Sequence, residues 1–509
     1  MAAAARLLLV LACLWPLAGG RALAAEGPSV RVEGGVVVGA ARGPAAVFRS
    51  IPYAAPPVGP LRWKPPAPVR SWRGARAADT PGPACLQPVP PGGVPNGGGY
   101  TGPVSEDCLT LDVTAPLALA KGGRKAPVMV WIPGGGNIFG AANVPSYDAV
   151  NFARDGVIVV TMNYRLGALG FFAHPALTAE APKTQGLVNY GLMDQVAALK
   201  WVKRNIAAFG GDPGNVTLFG ESAGGGDTLA LLSMPANKGL FQKAAVESGG
   251  GWDHPSTLAQ RETQGAELAS RLGLAGAGAT AAQLRALPAD KLIVSAGGVA
   301  EDGRMLTETP TQAFARGHAL DLPLIIGSNS NEASLLGSFG LAGGVAGIPP
   351  EVRQAYSAEA PDDATLARLN FNDRVMGAPA RWIAAKGSGG ARTWLYYFSY
   401  VPERQRATRP GTNHASEIPF VFDSLDAVPG RTPLISPSER ALAALAHSCW
   451  VAFAKTGAPN CAGGQAWPAY DPSTDQLLEF GADTGVRQHF RKAQLDAQEK
   501  AAGAILKGP

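Results

Sequence analysis

The stretch Gly220-Glu221-Ser222-Ala223-Gly224 is the part of this chain best suited to chemistry. It follows the apolar run Val216-Thr217-Leu218-Phe219 and precedes the helix-like Thr228-Leu229-Ala230-Leu231-Leu232. A strand that turns at once into a helix leaves space only for small residues, so glycines flank the serine. Such an elbow holds the hydroxyl above a sheet edge and aims the next backbone N–H at a developing oxyanion. A serine hydroxyl is a weak nucleophile at neutral pH; it requires a base, and the base requires an orienting acid. The chain has six histidines. His174, His254, His318, His447 and His489 stand in apolar, helical or tail contexts that suit packing or surface roles. His414 differs, lying in the loop Gly411-Thr412-Asn413-His414-Ala415-Ser416 between a late strand and Ile418-Pro419-Phe420. A glycine-containing loop after a late strand is where a sheet enzyme delivers its base. For the acid, Glu332 follows the strand-like 323–327 through the polar turn Ser328-Asn329-Ser330-Asn331, which places it at the carboxyl edge of a sheet.

Stabilising an oxyanion calls for a second donor loop. Trp131-Ile132-Pro133-Gly134-Gly135-Gly136-Asn137 follows an apolar run, and its glycines let backbone N–H groups approach a substrate closely. Gly135, Gly136 and Ala223 are the expected donors, each worth roughly 3 kcal/mol of barrier. A phosphate cradle is excluded by the absence of a following Gly-Lys-Ser/Thr and of GxGxxG spacing.

The elements that must position these groups alternate between strand and helix. Residues 127–132, 157–161, 243–246, 323–327 and 393–398 read as buried strands, and Met193–Ile206 has helical spacing through Val196, Leu199, Val202 and Ile206. Near-continuous apolar strands alternating with helices predict an α/β architecture, a large mostly parallel sheet covered on both faces. The order Ser222, Glu332, His414 is that of an α/β-hydrolase. Val30–Val32 and Gly35–Val38 read as an antiparallel edge. Residues 252–317 and 337–390 read as helical, lid-like insertions over the active site that supply most of the acyl and alcohol pockets.

At 509 residues with 46% hydrophobic and 16% charged composition, the chain can bury a large core and is no disordered tail. Residues 1–24 read as a cleavable signal peptide: Arg6, the apolar Leu7–Leu17, then Ala22-Leu23-Ala24. The expected organisation is therefore this leader followed by a single domain, 25–509, secreted or periplasmic. No other run of about 20 apolar residues follows, so no membrane span is expected. The formal charge of +5, two of it Arg6 and Arg21 in the leader, comes with no Lys/Arg cluster and argues against a nucleic-acid partner. Cys85, Cys108, Cys449 and Cys461 allow three pairings. Local bridges, Cys85–Cys108 and Cys449–Cys461, are the economical choice, with free thiols as the alternative. The first would close the Pro/Gly-rich stretch 86–104 as a surface loop.

Further segments carry a resemblance along nearly the whole chain. They include Ile51-Pro52-Tyr53-Ala54, Pro56-Pro57-Val58-Gly59 and Leu61-Arg62-Trp63, then Ser105-Glu106-Asp107-Cys108-Leu109 and Asn163-Tyr164-Arg165. Asn189-Tyr190-Gly191-Leu192, Phe209-Gly210-Gly211-Asp212-Pro213 and Phe453-Ala454-Lys455-Thr456-Gly457 complete the set. In this order they resemble the type-B carboxylesterase family, which includes cholinesterases and bacterial p-nitrobenzyl-type esterases. The resemblance implies a serine esterase working through an acyl-enzyme on a small-molecule ester, with neither metal nor cofactor nor obligate protein partner. It implies Ser222, Glu332 and His414 as the triad, Gly135, Gly136 and Ala223 as the oxyanion hole, and Glu221, Ser248 and Glu417 as supporting groups. It also implies the Cys85–Cys108 bridge and buried ion pairs Arg62–Glu106 and Arg165–Asp194. Two departures stand out. Pro133 replaces a histidine common in relatives, and the loop between Cys85 and Cys108 lacks the tryptophan with which cholinesterases hold a quaternary ammonium. The other readings are a non-catalytic adhesion module, for which the filled triad positions are unexpected, and the same triad acting on lipids, lactones or amides.

Overall fold

Side chains along a strand point alternately to its two faces, so a strand buried on both sides needs apolar residues at consecutive positions. Ala126–Ile132 meets that need: Val128, Val130 and Ile132 enter one core and Met129 and Trp131 the other. The same division recurs in Gly211–Glu221, where Val216 and Leu218 face the first core and Phe219 the second. The helix Tyr190–Asn205 covers the first face with Leu192, Leu199, Trp201 and Val202. The helix Pro437–Thr456 covers the second with Leu442, Ala446, Trp450 and Phe453. Phe219 lies against Trp131 with ring centroids 4.7 Å apart, and each such buried ring contributes about 2–3 kcal/mol by leaving water.

The computed structural model describes residues 27–118, 125–252, 256–339, 345–387 and 390–507. The proposed leader, 1–24, and His254 lie outside them. Within the described residues an eleven-stranded sheet forms the centre. Its middle is parallel, running in space from Ile158–Met162 through Ala126–Ile132, Gly211–Glu221, Lys243–Glu247, Leu324–Asn329 and Thr393–Phe398 to Gln476–Phe480. Antiparallel strands close both margins. Register brings Phe219 beside Trp131 and Ala245, and sets Glu221 opposite Glu247.

Five strands towards the two sides of the sheet were not legible as such, among them the short Ala40–Arg42 and Gly485–Gln488. Thr110–Pro116 alternates Leu111, Val113 and Ala115 with polar residues but is buried on both faces, because Asp112 is paired with Arg49 at 2.7 Å. Ala45–Pro52 contains a register shift between Phe48 and Ile51, which breaks its periodicity. Gln476–Phe480, the last parallel strand, was likewise unread. The expected antiparallel edge at 30–38 forms, with Ser29 opposite Val38, but in a separate three-stranded sheet with Ala75–Ala77. Trp72 explains the detour: its indole donates to the Val36 carbonyl at 2.9 Å and its ring fills the space beside Gly34 and Gly35.

Both local disulfides form, Cys85–Cys108 and Cys449–Cys461. Closing loops of this size stabilises a fold by roughly 3 kcal/mol each through the unfolded chain. The first tethers a loop whose Gln87 exchanges two hydrogen bonds of 2.8 Å with the backbone of Gly140, just beyond the glycine run 134–136. The expected ion pairs are also present: Arg62 to Glu106 and Arg165 to Asp194, each at 2.7 Å. No helix among the described residues is long and apolar enough to cross a membrane.

Candidate active site

Ser222 joins the strand Gly211–Glu221 to the helix Ala223–Leu232, with φ 56° and ψ −124°. A non-glycine residue in that region is strained, and the surroundings hold it there. Its N–H donates to the Glu247 carbonyl at 2.8 Å, and its carbonyl accepts from Gly226 N at 2.9 Å. The flanking glycines have no space for a side chain. A Cβ on Gly220 would lie 2.6 Å from the Gly224 backbone, and one on Gly224 would lie 2.0 Å from the Ile132 carbonyl oxygen. In both cases the Cβ would meet backbone atoms, which cannot swing aside, so relief requires separating the helix from the sheet. Gly224→Ala is therefore expected to destabilise the fold by about 3 kcal/mol or more. A denaturation midpoint equal to the parent's would show that the elbow is not this tight.

His414 arrives on a loop stitched to the turn before Glu332. Asn331 N donates to the Thr412 carbonyl at 2.8 Å, Thr412 N to Ser330 Oγ at 2.7 Å, and His414 N to Ser334 Oγ at 2.9 Å. The result is a 2.5 Å contact between His414 Nδ1 and Glu332 Oε2. The other oxygen of Glu332 accepts from Ser248 Oγ and from Asn329 N, both at 2.6 Å, and the carboxylate is fully buried. His414 Nε2 faces Glu221 Oε1 at 3.0 Å, and neither atom has a hydrogen-bond partner among the described residues. Ser222 Oγ likewise makes no hydrogen bond to His414 in this arrangement. Asn329 Nδ2 donates to Glu417, so Ser248, Asn329 and Glu417 back the Glu332–His414 pair while Glu221 lies on its open side.

The remaining histidines stand apart. His174 accepts from Ala176 N and bonds the Gly276 carbonyl, His447 is buried between the Val421 carbonyl and Asp155, His318 pairs with Glu308, and His489 is exposed.

Gly136, Ser222 and Ala223 line one cavity of about 400 Å³. The amides of Gly135, Gly136 and Ala223 donate to no acceptor among the described residues, which leaves them available to a ligand. The glycine loop is braced from below. Tyr164 OH donates to the Pro133 carbonyl at 2.8 Å and Asn137 Oδ1 at 3.0 Å, and Asn137 Nδ2 donates to Asp227 Oδ1 at 3.1 Å. Gln195 Nε2 holds the second Asp227 oxygen at 2.6 Å. The insertions share the cavity wall with the elbow and the glycine loop rather than supplying most of it: Ser256, Arg261, Gly297 to Val299, Pro310, Val375 and Met376 come from them.

Sequence reasoning missed Glu247, Asn329, the Asn137–Asp227–Gln195 brace and Arg261. Glu247 ends the strand beside the elbow, is fully buried, and accepts from Trp450 Nε1 at 2.9 Å. An acid closing an apolar strand next to the serine strand was the available signal.

Several acids crowd one buried volume and cannot all ionise. Burial, then the charges of Glu221 and Glu332, push Glu417 up to about 8. Burial raises Glu221, with His414 opposing, and raises Glu247 well above the usual range, reinforced by Glu417 and Glu221. Burial also raises Asp227 to about 7 against its two amide donors. For His414, burial disfavours the cation, but the charges of Glu221 and Glu332 outweigh it and hold the imidazole above its ordinary value. All these groups bind protons more tightly folded than unfolded. The carboxyls' contribution to stability is therefore complete below their unfolded range and, for Asp227 and Glu417, lost as pH rises through about 7 and 8, while that of His414 is complete below its unfolded value and lost above it. The melting temperature is expected to fall by several degrees between pH 5 and pH 8.5. A level or rising profile across that window would contradict the shifts.

Known proteins resemble this chain in sequence and fold. The Carboxylesterase family model matches residues 26–344 and 348–498. Para-nitrobenzyl esterase of Bacillus subtilis (strain 168) is 36% identical over 497 residues, covering 90% of this chain and 95% of that protein. Fumonisin B1 esterase of Sphingopyxis macrogoltabida is 35% identical over 487 residues, covering 89% and 86%. Among solved structures, a carboxylesterase of Geobacillus stearothermophilus aligns with a TM-score of 0.79 at 32% identity, covering 92% of this chain and 100% of that one. The strand order, the serine elbow and these matches together show that the chain belongs to the carboxylesterase family, with the α/β-hydrolase fold and the activity of a carboxylic ester hydrolase.

Proposed function

We propose that Ser222 is the nucleophile, His414 the general base and Glu332 the acid that orients it. Ser222 Oγ attacks the ester carbonyl carbon as His414 Nε2 takes its proton. The carbonyl oxygen becomes an oxyanion held by the N–H groups of Gly135, Gly136 and Ala223. Collapse expels the alcohol, which receives the proton from His414 and leaves an acyl-enzyme. Water, deprotonated by the same imidazole, then releases the acid.

One observation carries this reading. A serine strained at an elbow opens into a cavity walled by free amides, with the Glu332–His414 contact of 2.5 Å behind it. Proton transfer requires Ser222 Oγ and His414 Nε2 to meet. Such contacts are commonly loose without substrate and tighten in the complex. Ser248, Asn329 and Glu417 act by positioning the Glu332 carboxylate, and Glu221 by its proximity to the imidazole edge.

A cavity of about 400 Å³ falls in the range that suits a small-molecule ester. We read residues from 25 onwards as a single catalytic domain. Two disulfides support a secreted or periplasmic location for it. An organophosphonate is expected to form an O–P bond with Ser222 Oγ as its leaving group departs to solvent, adding the phosphonyl mass to the peptide containing that residue. Loss of turnover with the label elsewhere, or continued ester turnover after complete labelling of Ser222, would reject the assignment. Activity against nitrophenyl esters of increasing acyl length would separate an esterase from a lipase.

A further inference from the structure

Charged side chains withdrawn from water are normally matched by an opposite charge, because desolvating an isolated ion is costly. Among the described residues four arginines are buried: Arg62, Arg165, Arg261 and Arg381. Three obey the rule. Arg62 holds Glu106 at 2.7 Å, Arg165 holds Asp194 at 2.7 Å, and Arg381 holds Asp475 at 3.1 Å and Asp496 at 2.6 Å. Arg261 does not. It is 5% exposed and has no carboxylate partner among the described residues. Its guanidinium donates to the backbone carbonyls of Ala296 and Gly297, to Gly298 at 3.1 Å and to Val299 at 3.4 Å, while Nε has no acceptor at all.

Pinning the loop 296–299 accounts for those hydrogen bonds but not for the charge, since carbonyls supply only partial negative charge. The position is what gives the unmatched cation meaning. Arg261, Gly297, Gly298 and Val299 line the same cavity as Ser222. Asp227, the acid that also lines it, has both oxygens engaged by Asn137 and Gln195 and forms no ion pair. Much of the remaining wall is small or apolar, including Gly226, Ala230, Gly249, Pro310 and Val375.

We infer that the cavity is built for an ester that also carries a carboxylate, with Arg261 as the counter-ion for that second acid group. A guanidinium presents a planar set of donors that matches a carboxylate, and in a dry pocket the pair is stronger than at a surface. The substrate class is thus a half-ester of a dicarboxylic acid, or an ester whose alcohol part bears an acid. The inference rests on Ser222 being the nucleophile.

The test compares two matched pairs of esters. Para-nitrophenyl hexanoate against mono-para-nitrophenyl adipate places the charge on the acyl side, and phenyl acetate against meta-acetoxybenzoate places it on the alcohol side. In at least one pair the ratio of kcat/KM, charged over neutral, is expected to fall tenfold or more in Arg261→Gln and to be restored to within a few-fold in Arg261→Lys. An unchanged ratio in Arg261→Gln for both pairs overturns the inference. Should that variant not fold, the full-length parent supplies the answer. Adipate is expected to inhibit hydrolysis of the hexanoate ester competitively, with relief by added salt, and inhibition no greater than that of sodium chloride at matched ionic strength overturns it. Neutral-ester turnover that disappears in Ser222→Ala keeps the nucleophile whichever way the ratio falls. Turnover of neither pair removes both readings.

Discussion

Ser222→Ala is expected to lower kcat/KM for a para-nitrophenyl ester by roughly 10⁵-fold or more while leaving the protein folded. The alanine methyl keeps the Cβ at the elbow, so the strained backbone, the Gly224 approach to Ile132 and the hydrogen bond from residue 222 N to the Glu247 carbonyl all remain. What disappears is the atom proposed to form the acyl-enzyme. Residual rate would come only from water attacking a carbonyl polarised by the free amides of the glycine loop and residue 223, and removing the nucleophile of such a triad costs about as much as removing the whole triad. The assays are steady-state kinetics and intact-protein mass after phosphonate treatment. A loss below a hundredfold, or labelling that persists in the variant, would show that another group carries the attack.

Glu332→Gln should cost about 10³ to 10⁴ in kcat with little change in KM. Each carboxylate oxygen has a donor. Oε2 contacts His414 Nδ1, and Oε1 accepts from Ser248 Oγ and Asn329 N. An amide offers one acceptor and one NH₂ group, so it fails on one side whichever way it is turned. With NH₂ towards His414, Nδ1 must become the acceptor. The ring proton then moves to Nε2, where it blocks acceptance of the serine proton. With NH₂ towards Ser248 and Asn329, two donors meet an NH₂ group at a fully buried position. The expected signature is a fall in kcat rather than a rise in KM, because the substrate cavity is not lined by Glu332. A loss below tenfold would mean that Glu221, 3.0 Å from Nε2, or another acid orients the ring instead.

The two expected losses differ in how visible their causes were in the chain. The serine, its glycines and the strand before it are contiguous, so steric necessity writes them as one motif. The buried strands of the parallel centre were legible for the same reason: burial on both faces demands unbroken apolar runs such as 127–132. The margins were not, because a strand such as Thr110–Pro116 buries polar residues only by virtue of distant partners, here Arg49 on Asp112. The 30–38 hairpin was read correctly as antiparallel, yet Trp72 assigns it to a separate small sheet. No periodicity in the hairpin itself contains that information.

The site divides along the same line. Which residues are proposed to carry the chemistry was set by the sequence alone, through local steric rules at the elbow and glycine loop, chain order, and the scarcity of histidines. What only the tertiary structure decided is their electrostatic company. Glu221 and Glu332 flank one imidazole with Glu417 and Glu247 packed beside them, Asn137 and Gln195 grip Asp227, and Arg261 stands in the cavity with no ion pair among the described residues. Charges act through space in a low-dielectric interior, between groups as far apart in the chain as Glu221 and His414. Their coupling therefore exists only once the sheet, the elbow and the late loop have been brought to one edge.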